Sequence, residues 1–130
     1  MQTVNFGELA VSNDLPLLVI AGPCQLEGVD HAQMIAGKMA EVCATHGAQF
    51  VFKGSYDKAN RTSLGGKRGL GMDEGLKVMQ SVKGSIGCPV LTDIHAPDHC
   101  ATVAAVCDIM QIPAFLCRQT DLLLAAGETG

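Results

Sequence analysis

Several familiar signatures are missing from this chain. No apolar run comes near the roughly 20 residues of a membrane-spanning helix. Basic residues are not in excess: nine Lys and Arg stand against 13 Asp and Glu, a net charge of −4. That balance leaves no footprint for nucleic acid or an anionic membrane. The opening stretch, MQTVNFGELAVSNDLP, has neither a basic n-region nor an apolar h-region, so it does not read as a signal peptide. A cytoplasmic location is therefore the expectation. There is no C-x-x-C pair, low-complexity tract, charged tail or short repeat. Six cysteines (Cys24, Cys43, Cys88, Cys100, Cys107 and Cys117) are present. Without a secretory signal they do not read as a disulfide framework. Five are expected as reduced, mostly buried small hydrophobes. Cys24 stands apart, because it follows the buried run LLVIAG at a Gly22-Pro23 break.

What is present describes a packed soluble domain: 130 residues, 48% hydrophobic and 17% charged. TVNF and LAV flank Gly7 as two short strands around a tight turn. After the SNDLP break, strand and helix patterns alternate four times. The strands are LLVIAG, AQFVFKG, CPVLTDI and CDIMQIPAF. The helices are GVDHAQMIAGKMAEVCATHG, MDEGLKVMQSVKGSIG, APDHCATVAAV and RQTDLLLAAGETG. Strict alternation predicts an α/β fold with parallel strands and right-handed crossovers. Strands apolar throughout predict burial on both faces. An open doubly wound sheet and part of a (βα)8 TIM barrel both satisfy the pattern. The stretch after the first strand, AGPCQLEG, is not G-x-G-x-x-G, so the dinucleotide signal is absent. Four units are half of eight, and a whole barrel takes about 250 residues. Residues 1–130 are thus read as the amino-terminal half of a barrel, with a hairpin over 1–14 and four βα units over 15–130. Its unpaired sheet edges call for cover by another copy.

The polar residues share one address, the carboxyl ends of the strands, where parallel α/β folds place their chemistry. Cys24 follows the first strand. Lys53, Ser55, Lys58, Asn60 and Arg61 follow the second. Asp93 and His95 end the third, and Gln111 and Arg118 bracket the end of the fourth. Lys53 sits in an otherwise apolar strand, so its ammonium is expected in the mouth of the site beside an anion. With Lys58 and Arg61 it makes three cations, and Thr62 and Ser63 add hydroxyl donors. The set points to substrates bearing phosphate or carboxylate; a solvated loop of snorkelling lysines is the plainer reading. Asp93 and His95, two apart on a strand, face the same way. They can orient a hydroxyl, bind a metal or move protons, while His95 packing over a helix start weighs equally. His31, His46 and His99 read as surface, Asp57 as a local loop anchor, and the methionines as packing. Cys24 alone reads equally as a nucleophile or as a buried thiol.

IAGPC, VFKGSYDKANRTS, RGLGMDEG, TDIH and IMQIPAFLCRQTDLL together resemble the 3-deoxy-D-manno-octulosonate 8-phosphate synthase family, from about Leu15 onward. The resemblance implies a (βα)8 barrel whose amino end is capped by the hairpin. It implies condensation of phosphoenolpyruvate with D-arabinose 5-phosphate, for lipopolysaccharide synthesis, by a homotetramer. Under it, Lys53 and Lys58 contact phosphoenolpyruvate and the aldehyde. Asn60, Arg61 and Ser63, with Thr62 and Ser55 beside them, hold the pentose phosphate. Asp93 orients the sugar or the metal region, and Gln111 forms the floor. Pro113, Ala114, Phe115 and Arg118 approach the neighbouring subunit. Cys24 becomes a ligand of a divalent metal ion. Mn, Fe, Co and Zn all suit a mixed sulfur, nitrogen and oxygen set, and the other ligands fall outside this chain. The sequence departs from the family pattern at Gly65 and Gly66 in the loop and at Ala96, where a glutamate is common. Two other readings stay open. One is a related 3-deoxy-D-arabino-heptulosonate 7-phosphate synthase using erythrose 4-phosphate. The other is a non-catalytic half barrel that binds phosphate or self-assembles.

Overall fold

A computed structural model describes residues 2–130. An antiparallel hairpin comes first, β1 (Val4–Phe6) paired with β2 (Leu9–Val11). Then follow β3 (Leu18–Ala21), α1 (Val29–Thr45), β4 (Gln49–Lys53), α2 (Met72–Ile86) and β5 (Val90–Asp93). A 3-10 turn at Pro97–His99 leads into α3 (Cys100–Ala104), then β6 (Ile109–Gln111). A second 3-10 turn at Ala114–Leu116 precedes α4 (Thr120–Gly127). Among the described residues no helix is long and apolar enough to cross a membrane.

The last four strands form one parallel sheet in the order β3-β4-β5-β6. Order in space equals order in sequence, without the reversal that marks a doubly wound sheet. Right-handed crossovers in one direction stack the helices on one face. That face carries the main core. Phe50, Phe52 and Val90 pack with Ala36 and Cys43 of α1, Met79 and Val82 of α2, and Val103 of α3. On the other face the register aligns Ile20 with Val51, Lys53 with Leu91 and Ile109, and Asp93 with Gln111. There Val51 and Leu91 are buried, but Ile20 is 44% exposed. Burial on both faces holds for β5 and fails at the edge strands β3 and β6, which each have a single neighbour.

Two elements are shorter than the pattern predicts. The third helix begins as a 3-10 turn, with the Cys100 amide bonded to the Pro97 carbonyl. It ends early because Asp108 is drawn to β5: its amide bonds the Val90 carbonyl, and its carboxylate accepts the Val90 amide at 2.9 Å. The fourth strand stops at Gln111, since Pro113 has no amide to offer a ladder and the chain winds into Ala114–Leu116. At the opposite end of the sheet, the Gln49 side chain donates to the carbonyls of Ala10 (3.0 Å) and Pro16 (3.2 Å). The hairpin is thereby tied to the amino end of β4.

Candidate active site

Two hollows mark the ends of the sheet. One, about 640 Å³, lies at the amino end between the hairpin and Leu15–Leu18 and has no ionisable side chain in its wall. The other, about 500 Å³, lies at the carboxyl ends. The segment after β4 brings Asp57, Lys58, Ala59 and Asn60 to it. The end of β5 brings Asp93 and His95, and β6 with its following turn brings Gln111 and Pro113 to Leu116. Of the residues expected in a site, Lys58, Asn60, Asp93, Gln111, Pro113, Ala114 and Phe115 therefore share one cavity.

Asp93 is its centre. The side chain is 8% exposed. Oδ2 accepts from His95 Nε2 at 2.9 Å and lies 3.8 Å from the Lys58 ammonium. Oδ1 is buried and has no hydrogen-bond partner among the described residues. Burial pushes this carboxyl up, but the Ser55 hydroxyl, His95 and the Lys58 charge outweigh burial and hold it below the ordinary aspartate range. It is an anion at neutral pH. Ser55 is fully buried; its hydroxyl lies close enough to Asp93 to favour the carboxylate and donates to the Asp57 carbonyl at 3.1 Å. His95 bonds Asp93 and also packs against His99 in the turn before α3, so both readings of this residue describe part of what it does.

Other expected members lie elsewhere. Lys53 is half-buried at the end of β4, makes no ion pair among the described residues and does not line the cavity. Arg61 is turned away: its Nε donates to the Lys67 carbonyl and its Nη2 to the Gln25 side chain. Thr62 and Ser63 are exposed, as is Arg118. The three cations do not converge, because the loop folds back on itself instead of over the strand ends. Only Lys58 enters the cavity.

Cys24 is an exposed free thiol, placed after β3 by a Gly22 whose missing Cβ would strike the Lys53 carbonyl. A catalytic ion needs about three protein ligands. Among the described residues no three His, Cys, Asp or Glu side chains come together to hold one. The described residues by themselves do not complete such a centre.

Sequence reasoning missed three participants. Asp57 does anchor its loop, and the partner that sequence reasoning missed is Arg68, which grips it with two bonds, Nε to Oδ1 at 2.8 Å and Nη2 to Oδ2 at 2.6 Å. That hydrogen bonding holds the Asp57 carboxyl below its ordinary range against the effect of burial. The Lys58 amide also bonds the Arg68 carbonyl at 2.6 Å, so the grip sets where Lys58 stands. Tyr56 is buried, and its hydroxyl meets His99 Nδ1 at 2.9 Å. No spacing rule links residues 43 apart. The cysteine expectation holds at Cys43, Cys88, Cys100 and Cys107 and fails at Cys117, which is exposed. Met34, 64% exposed, departs from the packing assigned to methionines.

Fold and site together define an α/β protein of alternating strands and helices, with its polar cavity at the carboxyl ends of consecutive parallel strands. The chain belongs to the DAHP synthetase I family, which it matches over residues 2–130. It is 51% identical over 127 residues to a protein of Rickettsia bellii named 2-dehydro-3-deoxyphosphooctonate aldolase, covering 98% of this chain and 46% of that relative. Proteins of the same name from Bartonella quintana (51%) and Granulibacter bethesdensis (54%) match over the same length, covering 46% and 45% of those relatives. The chain thus spans about half the length of the curated relatives it matches.

Proposed function

We propose that this chain forms the first four units of a (βα)8 barrel that condenses phosphoenolpyruvate with D-arabinose 5-phosphate and water. The products are 3-deoxy-D-manno-octulosonate 8-phosphate and inorganic phosphate. One observation carries the reading: Lys58, Asn60, Asp93 and Gln111 reach a single cavity from three consecutive strand ends, in a chain matched almost throughout by relatives named for that octulosonate. The unreversed strand order supports the barrel.

In the reaction, C3 of phosphoenolpyruvate attacks the aldehyde carbon of the pentose phosphate, and the aldehyde oxygen takes up a proton. Water adds at C2, and the C2–O bond breaks to release phosphate. Lys58 balances the charge of a bound anion, Asp93 accepts a sugar hydroxyl, and Asn60 and Gln111 offer amides to oxygens. In this reading the loop carrying Arg61, Thr62 and Ser63 moves over the strand ends when substrate binds, and Lys53 stands beside it at the end of β4. Cys24 contributes one sulfur toward a divalent ion. Pro113 and Ala114, with the exposed Phe115 and Arg118, face a neighbouring subunit of a cytoplasmic homotetramer.

Phosphate release from phosphoenolpyruvate, measured in parallel with arabinose 5-phosphate and erythrose 4-phosphate, tests this reading. Release with the pentose phosphate alone is expected, and Asp93→Asn should lower the rate about 100-fold or more. Release with erythrose 4-phosphate alone, or with neither aldehyde, overturns it.

A further inference from the structure

We propose that Tyr56 and His99 are positioning residues for Asp93, acting through the ring of His95. The inference uses the sugar-phosphate reading only for what Asp93 does with a ligand; how the rings are held stands apart from it.

An ionised carboxylate only accepts hydrogen bonds, so the proton shared at 2.9 Å between His95 and Asp93 sits on His95 Nε2. His95 Nδ1 is buried with no partner among the described residues. With Nδ1 unpartnered, the Nε2 proton shared with Asp93 is the one that orients the ring. Its far nitrogen is anchored by nothing, and its orientation depends on packing. The Tyr56 ring meets it edge-on, with centroids 5.2 Å apart and planes at 67°. His99 stands 6.4 Å away at 83°. Tyr56 and His99 complete the triangle at 6.0 Å and 61°. Three edge-to-face rings are a favourable aromatic arrangement, and one bond locks it, between the Tyr56 hydroxyl and His99 Nδ1.

The direction of that bond follows from the surroundings. Burial pushes the Tyr56 hydroxyl up, and the charges of Asp93 and Asp57 push the same way. The hydroxyl keeps its proton and so can donate; in the proposal it donates to His99 Nδ1, which places the His99 proton on Nε2. Tyr56 cannot swing aside. The Gly71 amide holds its carbonyl at 3.0 Å, and Gly75 of α2 sits so close that a Cβ there would strike the Tyr56 Cβ. Tyr56 follows β4, His95 follows β5 and His99 lies in the turn before α3. Three segments thus fix one imidazole, leaving Asp93 with Oδ2 engaged and Oδ1 free.

Two-bond proton–nitrogen spectra of the intact chain, labelled with 15N at histidine, test this directly. The wild type should show the proton on Nε2 at both His95 and His99. Tyr56→Phe keeps the ring and loses the bond; His99→Ala loses the ring as well. Both should turn His95 into a broadened mixture of tautomers, and His99→Gln, which restores an acceptor, should recover the single form. Titration with arabinose 5-phosphate should show affinity falling about tenfold in the first two variants, the scale of one mis-set hydrogen bond, and holding in His99→Gln. A wild-type His95 carrying its proton on Nδ1, or a His95 signal unchanged in both loss variants, overturns the proposal. Should Tyr56→Phe not fold, His99→Ala at a half-exposed position decides alone. If the wild type does not bind the sugar phosphate, the functional reading falls while the tautomer result still decides this one.

Discussion

At the scale of single residues, chemistry here depends on exposure. Cys24 and Cys117 face solvent, whereas Cys43, Cys88, Cys100 and Cys107 are buried. Burial pushes the Cys107 thiol up to about 12, so it carries almost no thiolate at neutral pH. With Ellman's reagent on the native protein, two thiols should react quickly and four only after unfolding; a third fast thiol would contradict the packing. The Asp57–Arg68 pair gives a pH signature. The folded-state Asp57 titrates below its ordinary range, so its contribution is present above the unfolded value and is lost as pH falls through the folded one. Thermal unfolding of Arg68→Met should begin below the wild type at pH 7. The two curves should converge in acid, below the ordinary aspartate value of about 4.

At the scale of elements, stability concentrates where β4 meets its neighbours. Phe52 is fully buried in the face that holds the helices. Phe52→Ala should cost about 3–5 kcal/mol in urea unfolding. Gly22→Ala should also destabilise, by about 1–3 kcal/mol, because its new methyl meets backbone that cannot turn aside. A Gly22→Ala variant of wild-type stability would show that β3 and β4 do not close as described. The loop from Ser55 to Gly71 is held differently, by the Asp57–Arg68 grip and the Lys58 and Gly71 amides. Its order rests on polar contacts at a partly exposed surface.

At the scale of the whole molecule, the sheet is central in the middle and open at its sides. β4 and β5 have two neighbours each, while β3 and β6 have one. The hairpin pairs only with itself, and Gln49 ties it to the sheet. Local opening should follow this gradient. Amide exchange should be slowest in Val51, Phe52 and Leu91, faster in Leu18–Ala21, and fastest in Val4–Val11. Uniform protection across all six strands would contradict the arrangement.

Much of this was legible in the order of residues alone. Hydrophobic period separated strands from helices, and their alternation made the sheet parallel. The strand ends were therefore named in advance as the address of Lys58, Asn60, Asp93 and Gln111. Asp93 and His95 fell on one face by counting two. What counting could not reach was the path of the loop between β4 and α2. Whether Arg61 or Lys58 enters the cavity depends on Gln25, Lys67 and Arg68, and contacts across tens of residues leave no periodic trace. The same holds for Tyr56 and His99. Sequence determined the elements and their direction, because period and propensity act over a few neighbours. Only the tertiary structure decided which cation, which ring and which carboxylate oxygen meet, because those choices arise from close packing between segments distant in the chain.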